Sequence, residues 1–168
     1  MTRLAKARLV AILVPAALLA GALGSEHIGG LAPCEMCHWQ RAAHYLALVF
    51  ALVSLGFSMG RSGPPREAVS RSLVWLAALA IAVSGGIGVW HAGVEAGLLE
   101  GVTRCAAAPA AGGDEALLAE IMAAPMVRCD EVQWSLLGIS MAGWNAIVSL
   151  FSAMVILWLS LKRPRAAA

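Results

Sequence analysis

A chain of 168 residues in which 60% are apolar and 13% charged, with a mean hydropathy of +0.79, has too little polar surface to coat a soluble domain. Its formal charge of +2 comes with neither a basic block nor aromatic–basic interleaving, so no nucleic-acid footprint is visible in the sequence. Soluble enzymes and disordered linkers are excluded; a helical bundle with lipid as its solvent is expected, with residues 1–168 as one membrane domain.

The first apolar run covers about 9–24. It follows Arg3, Lys6 and Arg8, contains Pro15 and ends in Ala22, Leu23 and Gly24, a profile shared by a short membrane helix and a signal peptide. The connection 25–41 carries Pro33-Cys34-Glu35-Met36-Cys37. Pro33 suits the first turn of a helix that runs into the second apolar stretch, 42–60, which puts the cysteine pair at a helix N-terminus. Free amides and the helix dipole favour negative charge there, so one thiol is expected to have a lowered pKa and to supply the thiolate that disulfide exchange requires. With the helix running on from Pro33, Cys34, Cys37, Arg41 and His44 recur at steps of three, four and three and share one stripe. Arg41, at the hydrocarbon edge, suits stabilisation of a Cys37 thiolate or of an anionic ligand; the plainer reading is snorkelling to headgroups. For His44 the plainer reading, a hydrogen-bonded interfacial histidine, outweighs proton transfer.

The third run covers 72–90. Ala43, Ala47 and Ala51 in the second run, and Ala78, Ala82 and Gly86 in the third, have the four-residue spacing of close-packed faces, a spacing that alanine-rich helices also produce by chance. Beyond Trp90, His91 and Glu95 lie one helical turn apart and could serve a polar ligand site or only anchor the helix end. The connection 91–135 holds Cys105 and Cys129, 24 positions apart, with alanine- and glycine-rich chain between them. As a staple such a bridge would contribute about 3 to 4 kcal/mol, whereas a flexible tether would also let Cys105 change partners. Within it, 114–124 reads as a short helix with Leu117, Leu118, Ile121 and Met122 on one face, lying on the membrane surface. The last run, 136–161, contains Asn145, which could bond across helices or satisfy the backbone locally and is assigned no chemistry.

Charge sets the orientation. Arg3, Lys6, Arg8, Arg61, Arg66, Arg71, Lys162, Arg163 and Arg165 fall on one side, while the other has only Arg41, Arg104 and Arg128 together with every acid except Glu67. By the positive-inside rule both termini are cytoplasmic, and all four cysteines face outward into an oxidising compartment, where two disulfides are expected. The same parity holds whether or not the first run is cleaved.

Leu31-Ala32-Pro33-Cys34-Glu35-Met36-Cys37 with Arg41 four places on, the separated pair Cys105 and Cys129, and Cys129-Asp130-Glu131-Val132-Gln133-Trp134 leading through Leu137-Gly138 together resemble the disulfide bond formation protein B family over nearly the whole chain. The resemblance implies an all-α, four-transmembrane-helix bundle with two periplasmic loops and a short interfacial helix in the second. It implies a quinone reductase of the bacterial inner membrane that reoxidises a periplasmic DsbA-like thioredoxin-fold dithiol oxidase and passes electrons to ubiquinone or menaquinone. By position, Cys105 would take the mixed disulfide, Cys129 would attack Cys34, and the Cys37 thiolate would meet the quinone beside Arg41, with His91 and His44 as further cofactor-binding candidates. His38, Trp39 and Gln40 carry no inference.

Two alternatives stand beside this. Cys34 and Cys37 with His27, His38 or His44 could bind or transport a soft metal ion, although such a site has no need of Cys105 and Cys129. Alternatively, both disulfides could only brace outer loops. Electron disposal favours the redox reading: exchange among disulfides creates no net oxidant, and without a haem motif or dinucleotide fingerprint a lipid-soluble acceptor is the economical choice.

Overall fold

The structure, a computed structural model, describes residues 1–59, 63–101 and 128–161. Among them are four helices long and apolar enough to cross a membrane: α1 (Arg3–His27), α2 (Glu35–Met59), α3 (Pro64–Glu95) and α4 (Met141–Leu161). The chain is therefore an all-α, multi-pass membrane bundle. A small antiparallel hairpin, β1 (Ser135–Leu136) with β2 (Ile139–Ser140), leads into α4. The surface helix expected over 114–124 lies outside the described residues, as does Cys105.

The helix ends differ from the apolar runs because polar residues extend a helix without adding hydropathy. The first run, expected over 9–24, extends in both directions to become α1. The second, expected over 42–60, starts at Glu35; Pro33 does not open it, and Cys34 stands immediately before its first residue. The 32 residues of α3 make a rod about 48 Å long, well beyond a ~30 Å hydrocarbon core. His91 and Glu95 are consequently in α3, and not in a connection beginning at 91. The last helix begins at Met141 instead of Leu136. Leu137 and Gly138, at φ 55 and 78, take the left-handed conformations that a two-residue primed hairpin turn needs. The apolar character of Leu136, Leu137 and Ile139 hides that turn in the sequence.

Small residues let the helices approach closely, so dispersion contacts take the place of a hydrophobic driving force that lipid does not provide. Ala7, Ala11, Ala47, Ala51, Ala77 and Ala78 are fully or almost fully buried, with Val74, Ile81 and Ile156 filling the spaces between them. Ala47, Ala51 and Ala78 thus lie on packed faces, while Ala43 and Ala82 are half-buried and Gly86 is exposed. Eight residues on from Ala78, Gly86 is about 80° off the starting direction. The packed stripe of α3 instead passes through Ile81, Ser84, Gly85 and Gly88. A Cβ at Gly88 would lie 2.9 Å from the Ala142 carbonyl oxygen, and one at Gly85 would lie 2.8 Å from Leu150 Cγ, so both glycines are sites of close approach to α4.

Candidate active site

Cys34 occupies the N-cap of α2. Its carbonyl accepts from His38 N–H at 3.2 Å, and its sulfur accepts from Cys37 N–H at 3.4 Å, the bond that a capping side chain makes. This cap brings the two sulfurs to 2.9 Å. Cys34 is 4% exposed and Cys37 is half-buried. The Cys34 thiol is pushed up from its ordinary value, first by its hydrogen bond to the Cys37 sulfur and then by burial. Cys34 therefore holds its proton more tightly than an ordinary thiol, and the more accessible Cys37 is the member available as thiolate.

His91 reaches this pair from α3. Gln40 Nε2, which can only donate, lies 3.0 Å from His91 Nδ1, so Nε2 carries the ring hydrogen. That Nε2 lies 3.5 Å from the Cys34 sulfur and 3.8 Å from Glu95 Oε1. Cys129 is buried in the same apolar cluster as Cys34, Met36 and Val94, and its backbone lies against the His91 ring. The other face of Gln40 belongs to a network across α2, α3 and α4. Asn145 Nδ2 donates to Gln40 Oε1 at 2.7 Å, Asn145 Oδ1 accepts from His44 Nε2 at 2.9 Å, and Ser84 Oγ lies 2.9 Å from the same His44 nitrogen.

Beside the cysteines is a cavity of about 600 Å³ lined by residues of all four helices and of the segment that precedes the hairpin. Leu18, Leu19, Pro33, Trp134 and Trp144 form much of its wall, while Cys37, Arg41, His44, His91 and Glu95 bring polar groups to it. Arg41 is fixed by an ion pair with Glu26 and a 3.0 Å bond to the Ala22 carbonyl, tying α2 to the end of α1. Arg41 Nε, His44 Nδ1 and Glu95 Oε2 are buried without a partner among the described residues.

A family model described as disulfide bond formation protein DsbB matches residues 4–159. The chain belongs to the disulfide bond formation protein DsbB family. It is 30% identical over 157 residues to disulfide bond formation protein B of Stutzerimonas stutzeri strain A1501, covering 92% of this chain and 93% of that relative. The proteins of the same name from Azoarcus sp. strain BH72 and Marinobacter nauticus are 32% and 31% identical, over 86% and 88% of this chain and 84% of each relative. No solved structure matches. Membership makes the chain a disulfide-forming membrane oxidoreductase in general terms.

Of the residues singled out in this DsbB-family chain, Cys34, Cys37, Arg41, His44 and His91 all line the one cavity, and Cys129 packs against Cys34. His27 and His38 are outside the cavity lining, whereas the sulfurs of Cys34 and Cys37 and a ring nitrogen of His91 lie within 4.8 Å of one another. Gln40, which carries no inference in the sequence, joins α2 to α3 and α4 at the site, and Glu26 and Ser84 also hold it together. Gln40 is 7% exposed. Its position three residues after Cys37 and one before Arg41 was the available signal: the helical face of the cysteines is wide enough to include it.

Proposed function

We propose that this chain is a protein-disulfide:quinone oxidoreductase of the bacterial inner membrane that reoxidises a periplasmic thioredoxin-fold dithiol protein of the DsbA type. The observation that carries this reading is the continuity of Cys129, Cys34 and Cys37 with a largely apolar cavity whose polar groups include Arg41, His44 and His91. In the first step, the partner's thiolate attacks Cys105 of a Cys105–Cys129 disulfide and frees Cys129 as thiolate. Cys129 attacks Cys34, the Cys34–Cys37 bond breaks, and Cys37 departs as thiolate at the N-terminus of α2. The partner's second thiol then expels Cys105, which re-forms its bond to Cys129 and releases Cys34. The electron pair taken from the partner now rests on Cys34 and Cys37. His91 Nε2–H, directed at the Cys34 sulfur, steadies that sulfur as it leaves.

The cavity suits ubiquinone or menaquinone. Its apolar wall accepts a redox lipid, Arg41 Nε–H is an unused donor for a ring carbonyl, and His44 Nδ1 is an unused acceptor for the hydroxyl of the reduced form. Bound there, the quinone supplies the two-electron, two-proton acceptor that restores the Cys34–Cys37 disulfide. The outward placement of the cysteines, with both termini cytoplasmic, is supported by the gathering of Arg3, Arg8, Arg66 and Arg71 around the opposite end of the bundle.

The test mixes the purified protein with a reduced thioredoxin-fold partner and a soluble quinone analogue and follows quinone absorbance. Absorbance falls with the wild type and stays constant with Cys37→Ser, in which the Cys105–Cys129 bond still forms; undiminished turnover by that variant would defeat the assignment. The cluster of Cys34, Cys37 and His91 also supports a second reading, a site for a soft cation such as Zn(II) or Cu(I). Stoichiometric metal in chelator-free preparations, lost in Cys34→Ser, would favour it over the redox reading.

A further inference from the structure

At the end of the bundle away from the cysteines, α1, α2, α3 and α4 enclose a second cavity of about 670 Å³. Arg3, Arg8, Arg66 and Arg71 all line it. Glu67 lines it too, but its carboxylate bonds Arg71 at 3.1 Å. Arg3 and Arg66 stand over the rings of Trp158 and Phe57, and among the described residues no carboxylate pairs with Arg3, Arg8 or Arg66.

Arg8 is the decisive residue. It is 7% exposed, and among the described residues its guanidinium donates only to hydroxyls, to Ser54 at 3.1 Å and Ser70 at 2.7 Å. Ser54 and Ser70 are themselves mutually bonded at 2.9 Å, so the guanidinium is held in place by α2 and α3. A cation buried in a membrane protein is costly unless an opposite charge meets it, and neutral hydroxyls orient this one without neutralising it. Snorkelling accounts for Arg3 and Arg66, whose side chains reach the surface, and does not account for a guanidinium fixed between helices beside a cavity.

We propose that this cavity binds the phosphate of an anionic phospholipid headgroup, with Arg8 as the buried anchor and Arg3 and Arg66 closing on the same charge. Planar guanidinium groups match phosphate oxygens in geometry as well as charge. A lipid is favoured over free phosphate because the site sits between membrane helices, with Leu4, Phe57 and Leu159 supplying apolar wall for the glycerol and acyl portion. The inference rests on the chain crossing a membrane and is independent of the thiol chemistry at the other end.

The full chain, purified in detergent, is examined by native mass spectrometry and thermal melting with phosphatidylglycerol, phosphatidylcholine and inorganic phosphate added separately. Phosphatidylglycerol is expected to remain bound and raise the melting temperature, with little effect from the other two. Arg8→Gln should abolish retention. Because that change also disturbs Ser54 and Ser70, the exposed Arg66→Gln is the second variant, with a loss of about fivefold expected for one arginine. Glu67→Gln, which releases Arg71, should bind phosphatidylglycerol more tightly, an outcome that packing alone does not produce. Cys37→Ser should bind it like the wild type, which separates failure here from failure of the proposed redox activity. Equal stabilisation by phosphatidylcholine would overturn the proposal, and an equal shift with inorganic phosphate would overturn its lipid assignment. Unchanged retention in both Arg66→Gln and Glu67→Gln would also overturn it.

Discussion

Asn145→Ala is the sharpest test of how the bundle holds the candidate site. Its side chain meets Gln40 and His44 on α2 and Ser84 on α3, at 2.7, 2.9 and 3.2 Å. Cross-helix side-chain bonds in a membrane average about 0.6 kcal/mol, so removing three partners should cost about 2 kcal/mol. The bond from Ser149 to Asn145, within α4, adds little to cohesion between helices. Unfolding in mixed micelles by added dodecyl sulfate, followed by helical circular dichroism, measures the loss. A double-mutant cycle with Gln40→Ala should give a coupling of about 0.6 kcal/mol, with about 1.7 as its ceiling. Because Gln40 also fixes the His91 tautomer, Asn145→Ala should slow disulfide exchange at Cys34 as well. A variant within about 0.5 kcal/mol of wild type, with no coupling to Gln40, would refute the idea that this network holds α2, α3 and α4 together.

At neutral pH, limiting iodoacetamide should label Cys37 of the reduced protein before Cys34. The raised pKa keeps Cys34 protonated until the pH climbs well above its ordinary range, and the thiolate is the reactive form; peptide mass spectrometry showing Cys34 labelled first would contradict this. Arg41→Ala removes a charged donor from the cavity and should raise the apparent KM for a quinone analogue about tenfold or more. An unaltered KM and bound-quinone spectrum would remove Arg41 from the site. Gly88→Ala should destabilise the bundle by about 1–3 kcal/mol because its Cβ meets the α4 backbone, while Gly86→Ala should be neutral or better. Equal effects at the two positions in the same detergent titration would show that α3 and α4 are not packed as described.

The two polar ends of the bundle are built on opposite principles. At the cysteine end, Arg41 has Glu26 as a fixed counter-charge, so the cavity there can take a neutral guest with hydrogen-bonding oxygens. At the other end, Arg8 has only Ser54 and Ser70 among the described residues, and the cavity suits a guest that brings its own negative charge. The alanine-rich middle separates these environments, and its close packing lets α2 and α3 hold side chains at both ends.

Four apolar runs, the lopsided distribution of lysine and arginine, and the spacing of Cys34, Cys37, Arg41 and His44 were enough to specify a membrane bundle and one helix stripe, which lines the candidate site. These are local quantities: hydropathy depends on composition along one segment, and a helical stripe depends on a fixed angular step. Tertiary structure decided the neighbours. Nothing in the chain near Gln40 announces that it joins His91, 51 positions away, to Asn145, 105 positions away. Likewise the pairing of Arg41 with Glu26 and the bonding of Arg8 to Ser54 and Ser70 depend on which helix faces which. The hairpin at Leu137-Gly138 is hidden in the sequence for a related reason: apolar side chains conceal a left-handed turn from hydropathy, and only the backbone path shows where the last helix begins.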